Sequence, residues 1–384
     1  MVRLVRSGQS QRAVAKRFGV SVNTVSVWVE RSAGQRLDRC SFADGKPGRA
    51  SNRTDARLEG RIVGLREQLR ASVLGEYGAE AISRTLRNQM VPAAAPSRAT
   101  INRVLRRHGA LDGARRTRRT APPKGWYLPA VAAKRAEVDC FDFIEDLKIA
   151  DGPLVSVLTA KSLHGALTDA WVLSQPSAKT TLQCLLERWR QDGLPAYAQF
   201  DNGTIFQGAH QFADTVGRLS RLCLALGVIP VFVPPLEHGM QNAIEGFIAL
   251  WQAKVWQRYR MGSVRQLQSR SDRYIAAHRA RLQDAAEIAP ARRKVPARFE
   301  LNLKAPVRGQ MIFVRRTDEA GRAIMLGRRF TVDKHWTHRL VRCEVDFDHQ
   351  RILCFALRRR APTEQSLLAT LPYHRSDKPF QGTL

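Results

Sequence analysis

The sequence predicts a multidomain α/β protein: helix-turn-helix units at the N-terminus, a mixed α/β core, and a small basic β-barrel towards the C-terminus. Three observations predict it. Helical periodicity fills the chain as far as His108, strands and helices alternate from Ala136, and short strands dominate from Gln310 onward. The charge divides at similar places. The whole chain carries +29, of which residues 1–135 carry +19, residues 136–260 carry −3 and residues 261–384 carry +13. Basic flanks of this size point to a polyanion, most often nucleic acid. The slightly acidic centre gathers carboxylates for another purpose.

Taken in order, residues 1–34 read as a helix-turn-helix. Gln11–Phe18 is one helix, Gly19-Val20-Ser21 the turn and Val22–Ser32 the second helix, with Ser21 as its N-cap. Val25 and Trp28 are expected to face inward, and Asn23, Thr24 and Ser26 to face a major groove. Only Met1–Ser7 is available for a preceding helix. Residues 35–54 form a linker rich in Gly, Ser and charge. Residues 55–110 form a second helix-turn-helix-like unit. Leu58, Ile62, Leu65 and Leu69 mark its first helix, and Ala81, Ile82 and Leu86 its second. In its third, Ile101, Val104 and Leu105 face inward while Arg98, Asn102, Arg103, Arg106 and Arg107 line the DNA-facing side. Residues 111–135 are a basic linker whose Arg115, Arg116, Arg118 and Arg119 suit phosphate contacts.

The core is expected over 136–262. Strands are read at Glu137–Ile149, Pro153–Ala160, Gly165–Leu173, Pro195–Phe200 and Val228–Val233. Helices are read at Ala178–Asp192, Gln211–Leu226 and Gln241–Tyr259. A helical linker follows over 263–305, then the barrel over 306–362, made basic by Arg315, Arg316, Arg328, Arg329, Arg358, Arg359 and Arg360, and a tail over 363–384.

Composition excludes several classes. At 44% hydrophobic and 25% charged residues the chain is not wholly disordered. No apolar run approaches the ~20 residues of a membrane span, and no secretory signal is read at the start. Six Cys without a CxxC pair argue against a zinc ribbon or a disulfide scaffold and suit a reducing compartment. The expected location is the cytoplasm, in association with a bacterial nucleoid and with no membrane partner.

Three acids stand where chemistry would place them. Asp142 lies inside the first core strand, Asp201 ends the fourth, just before Asn-Gly, and Glu245 opens the helix after Pro234-Pro235. A charge inside a strand is costly to bury unless it is paired or bound to metal. Such oxygen ligands suit Mg²⁺ or Mn²⁺, and two ions about 4 Å apart can drive phosphodiester chemistry.

The stretches FDFIEDL, SLHGALTDAW, QFDNGTIFQG and PPLEHGMQNAIEGF follow one another in an order that resembles the DDE transposases and integrases of bacterial insertion sequences, relatives of retroviral integrases. Asp201-Asn202-Gly203 resembles that family's second Asp motif, and Gln241-Asn242-Ala243-Ile244-Glu245 its glutamate motif. The resemblance implies an RNase H-like core and an SH3-like or Mu-type C-terminal barrel. It implies that Asp142, Asp201 and Glu245 hold two Mg²⁺ (or Mn²⁺) ions, that element-end DNA is hydrolysed, and that the freed 3′-OH attacks target DNA. It further implies that Asn202 and Asn242 orient the acids or touch DNA, that Gln252 reaches the cut strand, and that copies of the chain associate to synapse two ends.

The sequence departs from the family in three places. The 43 residues 202–244 between Asp201 and Glu245 exceed the usual spacing, with the excess expected as a loop over Gln207–Arg218. Asp139 competes with Asp142 as first acid; Asp142 stands closer to the family's distance from the second strand. Gly246-Phe247-Ile248-Ala249 is unusually apolar. The alternative reading is a decayed DNA-binding remnant or a repressor of its own element.

Overall fold

A computed structural model describes residues 1–37, 54–91, 95–111, 123–150, 152–209, 212–234, 237, 240–376 and 380. The chain divides into two compact units, Met1–Arg61 and Ile62–Leu384.

The first unit contains α1 (Val2–Arg6), α2 (Gln11–Phe18) and α3 (Val22–Arg31). Each of the latter two starts on a serine whose hydroxyl accepts an otherwise unpaired amide: Ser10 from Ala13 N at 3.2 Å and Ser21 from Thr24 N at 3.1 Å. Gly19 ends α2 at φ +63°, the left-handed conformation that a side chain disfavours. Val14, Ala15 and Val25 form the buried centre, with Leu4, Val5, Val20 and Val29 packed on it. Trp28, expected inside, is only half-buried, and the Arg31 guanidinium lies 5.2 Å from its ring centre. At this helix the inward position falls one residue later, on Val29. Most of the expected linker, residues 38–53, lies outside the described residues.

Next come α4 (Ala56–Ala71), α5 (Ala79–Gln89) and α6 (Arg98–Arg107). Ser97 caps α6 by accepting from Thr100 N at 3.2 Å. Ile101, Val104 and Leu105 are fully buried, as their spacing requires. A short α7 (Pro129–Ala132) precedes β1 (Val138–Lys148), β2 (Leu154–Ser162), β3 (Thr168–Leu173), α8 (Ala178–Asp192) and β4 (Tyr197–Phe200). Then follow α9 (Thr204–Gln207), α10 (Arg218–Ala225), β5 (Ile229–Phe232) and α11 (Asn242–Trp251), which runs into a π-helical turn at Gln252–Trp256. After α12 (Val264–Arg281) and α13 (Gln283–Glu287) come β6 (Gln310–Arg316), β7 (Arg322–Met325), β8 (Arg328–Thr331), β9 (Leu340–Asp346), β10 (Arg351–Ala356) and β11 (Leu367–Pro372).

The helix expected over Gln211–Leu226 is α10 alone, beginning at Arg218. Gly208 and Gly217 approach so closely that a Cβ on Gly208 would lie 2.9 Å from the Gly217 Cα. The described residues 212–217 form a loop, and the Asp214 amide donates to the Leu326 carbonyl at 2.8 Å, next to the β7–β8 hairpin.

The described strands form one nine-stranded sheet in the order β11-β10-β9-β6-β5-β4-β1-β2-β3, with β7 and β8 as a separate pair. β1 is antiparallel to β2 and parallel to β4, and β4 is parallel to β5. Helices α8 and α10 cover one face, through Leu185, Trp189, Leu219 and Leu222. Helices α11 and α12 cover the other, through Ile244, Phe247, Trp251 and Tyr274.

The C-terminal strands expected as a separate barrel extend the core sheet instead. β6 pairs parallel with β5 through Val231↔Ile312 and Phe232↔Phe313, and β9, β10 and β11 continue the sheet. The reason lies in the run MIFV. Met311 and Phe313 belong to one buried cluster and Ile312 and Val314 to the other. A strand apolar on both faces needs cover on both faces, which an interior strand of a helix-flanked sheet obtains. The expected helical linker likewise joins the core. Arg279 of α12 bonds the Thr168 carbonyl at 2.7 Å and pairs with Asp169 and Asp192.

Candidate active site

The register of β1 on β4 pairs Val138↔Tyr197, Asp139↔Ala198 and Cys140↔Gln199. Continued two steps, it sets Asp142 beside Asp201, which follows β4 directly. Side chains alternate along β1. Val138, Cys140 and Ile144 pack into the cluster under α11, so Asp142 faces that side too. Glu245 is exposed in the first turn of α11.

Asp142 senses the other two acids. Burial, and next the charge of Asp201, push the Asp142 carboxyl up to about 7, and Glu245 and Glu145 add to the rise against the Phe143 amide bond that opposes it. Burial also raises Asp201, against one bond from the Gly203 amide at 2.8 Å. Asp142 accepts from the Phe143 amide at 2.9 Å. Acids crowded in this way store repulsion that a divalent cation relieves, and their hard oxygens fit Mg²⁺ or Mn²⁺. Among the described residues, no three His, Cys, Asp or Glu side chains converge closely enough to share one ion.

Asp139 lies on the opposite face and is fully buried. It accepts from Arg188 Nε at 3.1 Å, from Arg292 Nη2 at 2.7 Å and from the Trp189 indole at 3.1 Å. Burial alone would raise its pKa, but Arg188 and then Arg292 hold it well below the usual range. Asp139 is thus a neutralised structural charge.

Asn202 is pinned: its amide donates to the Val233 carbonyl, and its Oδ1 accepts from Arg315 at 2.9 Å. Asn242 is exposed at the start of α11. Gln252 opens the π-helical turn, where its carbonyl accepts from Gln257 N at 2.8 Å. The apolar run after Glu245 includes the inner side of α11: Phe247 is fully buried and Ile248 packs on the same cluster.

Of the expected DNA contacts, Asn23 is exposed, Thr24 and Ser26 are half-buried, and the Thr24 hydroxyl is 2.8 Å from that of Ser21. Asn102, Arg103, Arg106 and Arg107 line the exposed side of α6. Arg98 is exposed too, and pairs with Glu80 at 2.7 Å. Arg115, Arg116, Arg118 and Arg119 lie outside the described residues.

Sequence reasoning missed Tyr127, Gln199, Arg188 and Arg292, and counted Arg315 only among the residues that make the C-terminal segment basic. Burial of Tyr127 was signalled only by the aromatic pair Trp126-Tyr127 inside a segment that otherwise reads as a linker.

Residues 1–39 match the homeodomain-like domain family. A search of curated proteins finds no match. Among solved structures, the chain is similar to the catalytic core domain of BIV integrase at 17% identity, over 36% of this chain and 81% of that one, with a TM-score of 0.28. It is similar to a simian T-cell lymphotropic virus intasome at 10% identity, over 69% and 88%, with a TM-score of 0.33. It is also similar to the HTLV-2 integrase catalytic core domain in complex with magnesium at 11% identity, over 41% and 87%, with a TM-score of 0.27. No described helix is long and apolar enough to cross a membrane.

Proposed function

We propose that this chain is a DNA-joining polynucleotidyl transferase of the DDE transposase and integrase kind, acting on the ends of an insertion sequence. The observation that carries the reading is the placement of Asp142: its register on β4 sets it beside Asp201, on the face covered by α11, whose first turn carries Glu245. Asp142, Asp201 and Glu245 would hold Mg²⁺ or Mn²⁺, two ions per site, once Glu245 moves closer to the Asp142–Asp201 pair than in the arrangement described. When bound, the ions supply Lewis acidity to the oxygens of a phosphodiester. The chain's own residues do the rest. Asn202, fixed by Arg315, keeps the turn carrying Asp201 in place. The first-unit helices and the arginines of α6 bind element-end DNA, and Gln252 lies one further stretch along from Glu245 to meet the cut strand. Two ends must be held together, so at least a dimer assembles on DNA.

The test is strand transfer by the full chain on a labelled duplex carrying the DNA that flanks its gene, with Mg²⁺ or Mn²⁺. Metal-dependent nicking and joined products are expected, and Glu245→Gln should abolish both while sparing end binding. Tight, salt-sensitive end binding with no cleavage by the wild-type chain would instead favour a decayed or regulatory copy.

A further inference from the structure

The segment Trp126–Leu128 stands between the basic run at 115–119 and β1, where composition reads as linker, yet its three side chains are buried. The Tyr127 hydroxyl sits between the side-chain oxygen of Gln199, to which it donates, and the Met240 carbonyl 3.1 Å away. The Gln199 amide donates to the same carbonyl at 3.2 Å. The backbone of the segment is fixed as well. Arg342 donates to the Tyr127 carbonyl at 2.9 Å, and Gln365 to the Trp126 carbonyl at 2.7 Å.

The position of this trio gives it a role. Gln199 is on β4, two residues before Asp201, and Met240 lies two residues before α11 begins. The hydrogen bonds therefore join the strand that carries one acid to the start of the helix that carries another. The far end of that helical stretch is also held. Lys254 donates to the Gly75 carbonyl at 2.8 Å and Arg258 to the Ser72 carbonyl at 2.8 Å, both in the connection between α4 and α5.

We infer that Tyr127 is a positioning residue for the carboxylate site: through Gln199 and the Met240 carbonyl it sets the helix carrying Glu245 against the strand carrying Asp201. The inference rests on the proposed reading of the three acids as a divalent-cation site. A tyrosine that merely satisfied its hydroxyl would add stability and leave cation affinity alone.

The test is Mn²⁺ binding to the full chain, by calorimetry at a temperature where each variant is folded by circular dichroism. Tyr127→Phe keeps the ring and removes the hydroxyl; Gln199→Met breaks the same link from the strand side. Each should weaken Mn²⁺ binding about 10-fold, the low end for groups that orient metal ligands. Glu245→Gln is the control on the site itself. If it weakens binding while Tyr127→Phe and Gln199→Met leave it unchanged, the positioning role is wrong and the site stands. If Glu245→Gln changes nothing, the acids are not the cation site, and both readings fall.

Discussion

Arg315 donates to the Oδ1 of Asn202 at 2.9 Å and to the Phe232 carbonyl at 3.1 Å, tying β6 to the turn after Asp201 and to the end of β5. Its Nε donates to the Ile324 carbonyl at 3.0 Å, and the guanidinium lies over the Phe313 ring. Burial pushes its pKa down to about 10, so it stays a cation. A residue counted only among the charges of the C-terminal segment is a brace beside the candidate active site.

Arg315→Met should therefore destabilise the fold, because four acceptors, the carbonyls of Ile324, Phe232 and Val314 and the Oδ1 of Asn202, lose their donor together. Unsatisfied buried groups cost roughly 1–3 kcal/mol each, and partial solvation should leave a net loss of about 3 kcal/mol in urea unfolding. A loss within about 0.5 kcal/mol of zero, the usual range for a surface substitution, would show that Arg315 is not a brace.

The raised carboxyl of Asp142 gives a pH dependence with a definite sign. Its pKa rises from an ordinary 3.8 to about 7 on folding, so the folded chain takes up a proton between those values. Its stabilising contribution is complete below 3.8 and is lost as the pH rises through 7. In EDTA the wild type should melt at a lower temperature at pH 8 than at pH 5 by a margin that Asp142→Asn reduces. Mg²⁺ at pH 8 should raise the wild-type melting temperature more than that of the variant. Equal pH slopes in the two proteins would refute the assignment.

Asp139 should behave in the opposite way. Its carboxylate compensates Arg188 and Arg292, both on its own face of the sheet. Asp139→Asn leaves buried cations short of charge, at about 3 kcal/mol or more by denaturant unfolding. At pH 8 without metal, Asp142→Asn should stabilise and Asp139→Asn destabilise. The same sign for both would contradict the two-face arrangement of β1.

Arg106 is exposed on α6, away from buried Val104 and Leu105. Arg106→Ala should weaken binding to element-end DNA similarly across sequences. It should reduce the slope of log affinity against log salt by about 1, the signature of a single phosphate contact. An unchanged slope would place the DNA elsewhere.

Local elements were legible because their causes are local. The helix read at Ala178–Asp192 forms over those residues, and the structure adds the Ser177 cap at its start. The strand from Gln310 follows from its apolar run, and it too forms there. What failed were inferences about partners. MIFV reads as a strand wherever it pairs; only β5 made it the continuation of the core sheet. Likewise, the helix read from Gln211 begins at Arg218, past the stretch also expected as a loop, where Gly208 and Gly217 come close together.

The sequence by itself determined that helices such as Ala178–Asp192 and strands such as Gln310–Arg316 form, which arginines of α6 face outward, and that Asp142, Asp201 and Glu245 occur in a suggestive order. Spacing, caps and alternation act over a few residues, so they can be read in one dimension. The tertiary structure decided that Asp139 is neutralised by Arg188 and Arg292, that Arg315 points inward to Asn202, and that Tyr127 reaches Gln199. Those outcomes depend on burial and charge contributed by residues 49 to 153 positions away, which no local pattern encodes.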